Sequence, residues 1–181
     1  MVGSADVRTL FLDRDGVVNR RVPDGYVLSW DQFEFIPGAL DAIAMLSSRF
    51  ERIPIITNQQ CVGAGLISND QLASIHRQMS QEIRSAGGRV DGIFVCPHLS
   101  SSGCDCRKPR TGLIRQARHC FPEIDLHRAL LIGEQSADME MARTAGLPAV
   151  QLIQNGRSST TNLSPLAIDH ANDLRSWSKR H

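Results

Sequence analysis

Arg8-Thr-Leu-Phe-Leu-Asp-Arg-Asp-Gly-Val-Val-Asn19 is the stretch that decides the fold. A short apolar run ends abruptly in charged residues, as a strand buried on both faces does where it leaves its sheet. The same figure recurs downstream. Ile53 to Ile56 runs into Thr57-Asn58-Gln59, Asp91 to Cys96 reads as a third strand, and Ala129-Leu-Leu-Ile-Gly133 runs into Glu134. Pro148 to Ile153 supplies a fifth strand. Helical patterns lie between them. Pro37-Gly38 opens a segment in which Leu40, Ile43 and Leu46 share a face, with Ala39, Ala42 and Ala44 adding helix propensity. Ser68-Asn69-Asp70-Gln71 has the spacing of a capping box. It predicts a helix that buries Leu72, Ile75, Met79 and Ile83 and stops at Gly87-Gly88. Gly112 to Cys120 and Ser136 to Ala145 are two more helices, the second closed by Gly146.

This alternation implies βαβ units and an α/β fold: a three-layer, Rossmann-like sandwich around a central, mainly parallel sheet. With 181 residues, 41% of them hydrophobic, the chain suits one domain over residues 1–181 without a large cap domain. The core is expected at about residues 8–153. Residues 155–164 read as a loop, and the tail of about residues 155–181, with Trp177, is either a docked helix or a frayed end.

Lys plus Arg is 20 against 19 for Asp plus Glu, a net charge of +1, which argues against nucleic-acid and membrane-surface partners. No apolar run approaches the roughly 18 residues of a membrane span, and Met1 to Asp6 lacks the start of a signal peptide. Five cysteines then read as reduced thiols or metal ligands. A cytoplasmic monomer acting on a small molecule is expected.

In a doubly wound sheet the ligand lies outside the carboxyl ends of the strands, where strand order reverses. The residues at those ends are Asp13 and Asp15, Thr57 and Asn58, Cys96 and His98, and Glu134 with Asp138; Lys108 sits on the connection after the third strand. Asp13 and Asp15 are two apart, so on an extended chain end both carboxylates face one site. Close carboxylates repel unless a cation or proton lies between them, and Mg²⁺ takes such acids together with phosphate oxygens. One acid can attack phosphorus while the other protonates the leaving oxygen. Gly16 would let backbone approach the phosphoryl group, and Thr57 and Lys108 supply the hydroxyl and the fixed cation that its oxygens require.

Cys96, His98, Cys104 and Cys106 form C-x-H-x5-C-x-C. Three thiolates and one imidazole suit tetrahedral Zn²⁺ with no open position, hence a structural ion in a small loop, 96–106, that has little apolar material to order it. Cys61 and Cys120 read as isolated thiols. His76, His119, His127, His170 and His181 show no ligand spacing and read as surface or packing residues.

Taken together, Asp13 to Asn19, Asp24-Gly25-Tyr26, Thr57-Asn58-Gln59, Cys96-Pro-His98, Cys104 to Pro109 and Ile132-Gly133-Glu134 give a chain that resembles the haloacid-dehalogenase (HAD) superfamily phosphatases. Specifically, it resembles the group holding the D-glycero-D-manno-heptose 1,7-bisphosphate and histidinol-phosphate phosphatases, and the resemblance covers about residues 8–152. It implies a HAD-like fold and an aspartyl-phosphate mechanism, with Asp13 as nucleophile and Asp15 as general acid and then base. It further implies phosphoryl contacts from Thr57 and Lys108, and substrate recognition by Gly25, Tyr26, Asn58, Gln59, Gln60 and Arg107. Catalytic Mg²⁺ would be bound by Asp13, the carbonyl of Asp15 and Glu134, with Asp138 in support; Zn²⁺ would be bound by Cys96, His98, Cys104 and Cys106.

Three positions depart from the pattern. Glu134 stands where the group carries Asp, Gln135 where it often carries Lys, and Cys61-Val-Gly-Ala-Gly65 where it often carries Arg. The last two remove positive charge from where a second phosphate would lie. Both differences bear on the bisphosphate more than on the phosphatase chemistry, and the activity the resemblance implies is hydrolysis of a phosphate monoester of a small sugar, foremost a heptose bisphosphate at its primary phosphate. Histidinol phosphate or another small metabolite is the alternative substrate, and a weakened sugar-phosphate-binding relative the alternative class.

Overall fold

The computed structural model describes residues 7–153, 167 and 169–180. Six strands form one sheet in the order β3-β2-β1-β4-β5-β6. They are β1 (Thr9–Leu12), β2 (Pro54–Asn58), β3 (Gly92–Cys96), β4 (Ala129–Gly133), β5 (Ala149–Leu152) and β6 (Asp169–Ala171). Every pairing is parallel, with Leu12 opposite Ile55 on one side of β1 and opposite Ile132 on the other. The chain builds outward from β1 to β3, then returns to place β4 on the far side of β1. That reversal makes the β1–β4 boundary the switch point.

The pleat sorts the strand residues into two cores. Leu10, Leu12, Ile55, Leu130, Ile132, Val150 and Leu152 belong to one, and Phe11, Ile56, Ala129, Leu131 and Ala149 to the other. The first core is covered by α1 (Ala39–Ser47), α3 (Asn69–Ser85) and α6 (Leu174–Ser178); the second by α4 (Gly112–Cys120) and α5 (Ser136–Ala145), while the one-turn α2 (Gln60–Gly63) follows β2. This is the three-layer sandwich expected of the sequence. The capping box forms as its spacing predicts: Ser68 Oγ accepts from Gln71 N at 3.1 Å, and Gln71 Oε1 accepts from Ser68 N at 2.8 Å. Gly146 closes α5 in the left-handed conformation at φ 74°.

Two findings differ from the sequence reading. In α1 the alanines at 39 and 42 are buried beside Ile43 and Leu46, while Leu40 is only half-buried, so the inward stripe is rotated toward the small residues. Of the two alternatives for the tail, its described residues take the docked helix and add a strand the sequence reading did not include. After residues 155–164, which lie outside the described residues, the tail adds β6 to the sheet edge and docks α6 on α1. The Asp173 side chain caps α6 by accepting from Ser176 N at 2.6 Å, and Arg49 Nη1 donates to the Ser178 carbonyl at 2.8 Å. Trp177, 3% exposed, enters the first core. Trp177→Ala should destabilise the fold by about 3–5 kcal/mol, the usual cost of emptying an aromatic core site; the midpoint of denaturant unfolding measures it.

Candidate active site

The carboxyl ends of β1, β2 and β4 open onto a cleft of about 680 Å³. Its lining contains Asp13, Asp15, Thr57 and Lys108, as well as Gly25, Tyr26, Asn58, Gln59, Gln60 and Arg107. A single concavity thus gathers the predicted catalytic and substrate positions, although they come from four separate stretches of chain.

Lys108 is the hub. Its buried ammonium lies 2.8 Å from Asp13 Oδ1 and 2.6 Å from Asp138 Oδ1, and donates to the Ile56 carbonyl at 3.2 Å. Burial works against the charge, but the two carboxylates outweigh it and hold the ammonium above the ordinary lysine range. Burial, with Asp138 adding to it, pushes the Asp13 carboxyl up to about 7 against the pull of Lys108. A further cation at this corner would favour the ionised acid.

The residues after β2 mostly hold other residues. The Asn58 side-chain amide clamps the Lys108 backbone, accepting from its N at 3.1 Å and donating to its O at 3.3 Å. Gln59 is 1% exposed, and its Nε2 donates to Asp15 Oδ2 at 2.7 Å and to Thr57 Oγ1 at 2.8 Å. Both line the cleft, but their amides are engaged internally. Gln60 alone of the three reaches outward, bonding the Tyr26 hydroxyl on the rim.

Asp15 is held on three sides. Oδ1 accepts from Arg14 Nη2 at 2.8 Å and Asn19 Nδ2 at 2.9 Å, and Oδ2 accepts from Gln59. Burial alone would raise this carboxyl, but the Arg14 guanidinium, helped by Asn19 and Gln59, holds it below the usual carboxylate range. Sequence reasoning missed Arg14, Asn19 and His76. Asn19 was legible as the last residue of the opening stretch, and His76 continues the buried stripe of α3 (72, 76, 79, 83); only for Arg14 did an acidic turn hide an inward guanidinium.

Glu134 does not line the cleft. Gly16 has φ 87°, and a Cβ built there would stand 1.8 Å from Glu134 Oε2, so the carboxylate rests directly on the turn that follows Asp15. This is a close approach that Gly16 permits. Asp13, the Asp15 carbonyl and Glu134 are hard oxygen donors suited to Mg²⁺. Asp138 is not free to join them: Oδ1 faces Lys108, and Oδ2 accepts from Gln135 N at 2.9 Å to cap α5.

Cys96, His98, Cys104 and Cys106 converge at the edge of this region, their ligand atoms all within 4.8 Å of one another. The sulfurs of Cys96 and Cys106 each lie 3.6 Å from that of Cys104, and His98 Nδ1 lies 3.2 Å from Cys106 Sγ and 3.7 Å from Cys96 Sγ. Bonds of about 2.3 Å to sulfur and 2.0–2.1 Å to nitrogen give tetrahedron edges of about 3.5–3.8 Å, so the four atoms fit one zinc ion. The loop is tied to the segment that follows β2, where Gln59 N donates to Cys96 O at 2.8 Å and Gly63 N to Pro97 O at 2.9 Å. Arg107 reaches back to the His98 carbonyl at 3.4 Å.

An open parallel sheet with paired aspartates after its first strand and a lysine buried between acids is the frame of a HAD-like hydrolase, and residues 105–175 match the HAD-hydrolase-like family model. The chain is 40% identical, over 88% of its own length and 85% of its relative's, to the D-glycero-alpha-D-manno-heptose-1,7-bisphosphate 7-phosphatase of Mycobacterium bovis. It is 33% identical to the corresponding beta-anomer phosphatase of Vibrio cholerae, over 91% and 92% of the two chains. The crystal structure of the D,D-heptose 1.7-bisphosphate phosphatase from B. bronchiseptica, complexed with magnesium and phosphate, superposes with a TM-score of 0.86 at 32% identity, covering 96% and 97% of the two chains. The chain belongs to this family of HAD-like phosphatases, and it is a phosphoric monoester hydrolase.

Removing the hub should expose its role in the fold. In metal-free protein, Lys108→Met leaves Asp13 and Asp138 facing each other without their cation, and a loss of about 3–5 kcal/mol is expected, read from denaturant unfolding.

Proposed function

We propose that this chain hydrolyses the C7 phosphate of D-glycero-D-manno-heptose 1,7-bisphosphate with Mg²⁺. The observation that carries the reading is the Asp13–Lys108 pair, 2.8 Å apart in the cleft at the switch point, with Asp15 beside it. An Asp13 oxygen attacks phosphorus, the bond from phosphorus to the C7 oxygen breaks, and Asp15 gives its proton to that oxygen. Asp15, now a carboxylate, takes a proton from water; the water oxygen attacks the aspartyl-phosphate, which releases inorganic phosphate and restores Asp13. Lys108 and Thr57 bind the phosphoryl oxygens, where charge spreads as the bond breaks. Arg107, Gly25, Tyr26 and Gln60 bind the sugar end, while Asn58 and Gln59 keep Lys108, Thr57 and Asp15 in place. Bound Mg²⁺ supplies charge neutralisation at the phosphoryl group.

The choice of a heptose bisphosphate rests on the relatives, whose names specify it at 33–40% identity. Of the two anomers we favour alpha, because the relatives named for it are 40% identical and those named for beta 33–37%. We assign the four-residue cluster a structural Zn²⁺ that steadies the loop leading into Arg107 and Lys108.

Phosphate release should require Mg²⁺, proceed on the 1,7-bisphosphate ahead of histidinol phosphate, and be faster on the alpha than on the beta anomer. Asp13→Asn should abolish it, whereas turnover by Asp13→Asn at the wild-type rate would sink the nucleophile assignment. Metal analysis should find about one Zn per chain. Cys106→Ser should lower that content and slow turnover together, and zinc-free protein with full activity would refute the assignment.

A further inference from the structure

Arg14 is 1% exposed, and burying a guanidinium is costly unless its donors are answered. Two of its nitrogens are engaged. Nη2 donates to Asp15 Oδ1 at 2.8 Å, and Nη1 lies 3.0 Å from Nε2 of His76, on α3. Nε finds no partner among the described residues, and the group stands 6.0 Å above the Phe33 ring centroid. The orientation of the guanidinium is therefore set by its two terminal arms. Because a guanidinium is a donor only, His76 Nε2 must accept, which places the ring proton on Nδ1 and leaves the ring neutral. Burial, with the Arg14 charge adding to it, pushes the His76 imidazole down to about 3, in keeping with a permanent acceptor.

We propose that His76 is a positioning residue for the acid–base step: by taking one arm of Arg14 it fixes the other arm on Asp15 Oδ1. The proposal rests on Asp15 being the acid and base of the reaction. With Arg14 and Asn19 both on Oδ1, the two lone pairs of that oxygen are filled, whereas Oδ2 receives Gln59 alone. One lone pair of Oδ2 remains, so Oδ2 is the oxygen that carries the proton to the leaving group and later takes one from water. If the imidazole acceptor is lost, Nη1 is unanswered in a dry site, the guanidinium turns, and the carboxylate turns with it.

The test uses the full chain loaded with Mg²⁺ and compares His76→Leu, which removes the acceptor, with His76→Gln, which offers an amide oxygen near the position of Nε2. On an alkyl phosphate that the wild type hydrolyses, His76→Leu should lose about ten- to hundredfold in kcat, the scale of a misplaced catalytic group, with KM within about twofold. His76→Gln should recover most of that loss. The deficit should shrink on p-nitrophenyl phosphate, whose leaving group departs without needing a proton. Wild-type kcat in a folded His76→Leu, or equal deficits on both esters in both variants, would overturn the proposal. Should His76→Leu fail to fold, nitrogen NMR of the wild-type protein still decides: an Nδ1–H tautomer with acceptor Nε2 at His76 supports the proposal, and a protonated Nε2 overturns it. Asp15→Asn serves as reference. Full activity in that variant would sink the acid–base reading and this proposal with it, whereas an inactive Asp15→Asn beside an unimpaired His76→Leu would sink this proposal alone.

Discussion

The buried ammonium of Lys108 is the constraint on which the rest of the structure turns. It joins three parts of the chain that are far apart in sequence: Asp13 at the end of β1, Asp138 in the first turn of α5, and the Ile56 carbonyl in β2. Each carboxylate would be expensive to bury alone, and so would the lysine; together they form a charged knot at the sheet's switch point. Hydrogen bonds then carry order outward. Asn58 pins the Lys108 backbone from β2, and Asp138, held on one side by Lys108, caps α5 with its other oxygen. The position of Asp13 and the start of a helix thus depend on one interaction.

Two amides and a guanidinium surround this knot. Gln59 spans Asp15 and Thr57 with one nitrogen, and Arg14 and Asn19 fill the other oxygen of Asp15. These donors hold the carboxylate low, yet in the proposed cycle the same group must carry a proton. An acid kept in one orientation by several fixed donors makes up in geometry what it lacks in basicity, because positioning contributes to rate as strongly as proton affinity does.

Much of this was legible in the sequence because the signals were local. The short apolar runs marked five strands, the capping box marked α3, and C-x-H-x5-C-x-C marked a cluster whose four ligand atoms converge. The illegible part depended on where side chains go after the backbone turns. Asn58 and Gln59 look like pocket residues by position, and only their contacts show them bracing Lys108, Thr57 and Asp15. Arg14 looks like a solvated charge because nothing nearby in sequence announces His76, 62 residues on, as its partner. The tail was equally opaque: three residues of β6 carry no clear alternation, and Trp177 gains its place only from a core built by earlier elements.

The seat of Glu134 on Gly16 makes one small space serve two purposes. A methyl group at position 16 would meet the end of the Glu134 side chain and would also hold the turn at a positive φ that L side chains rarely adopt. The backbone after Asp15 and the carboxylate after β4 are therefore mechanically joined, and a change in either is felt by the other.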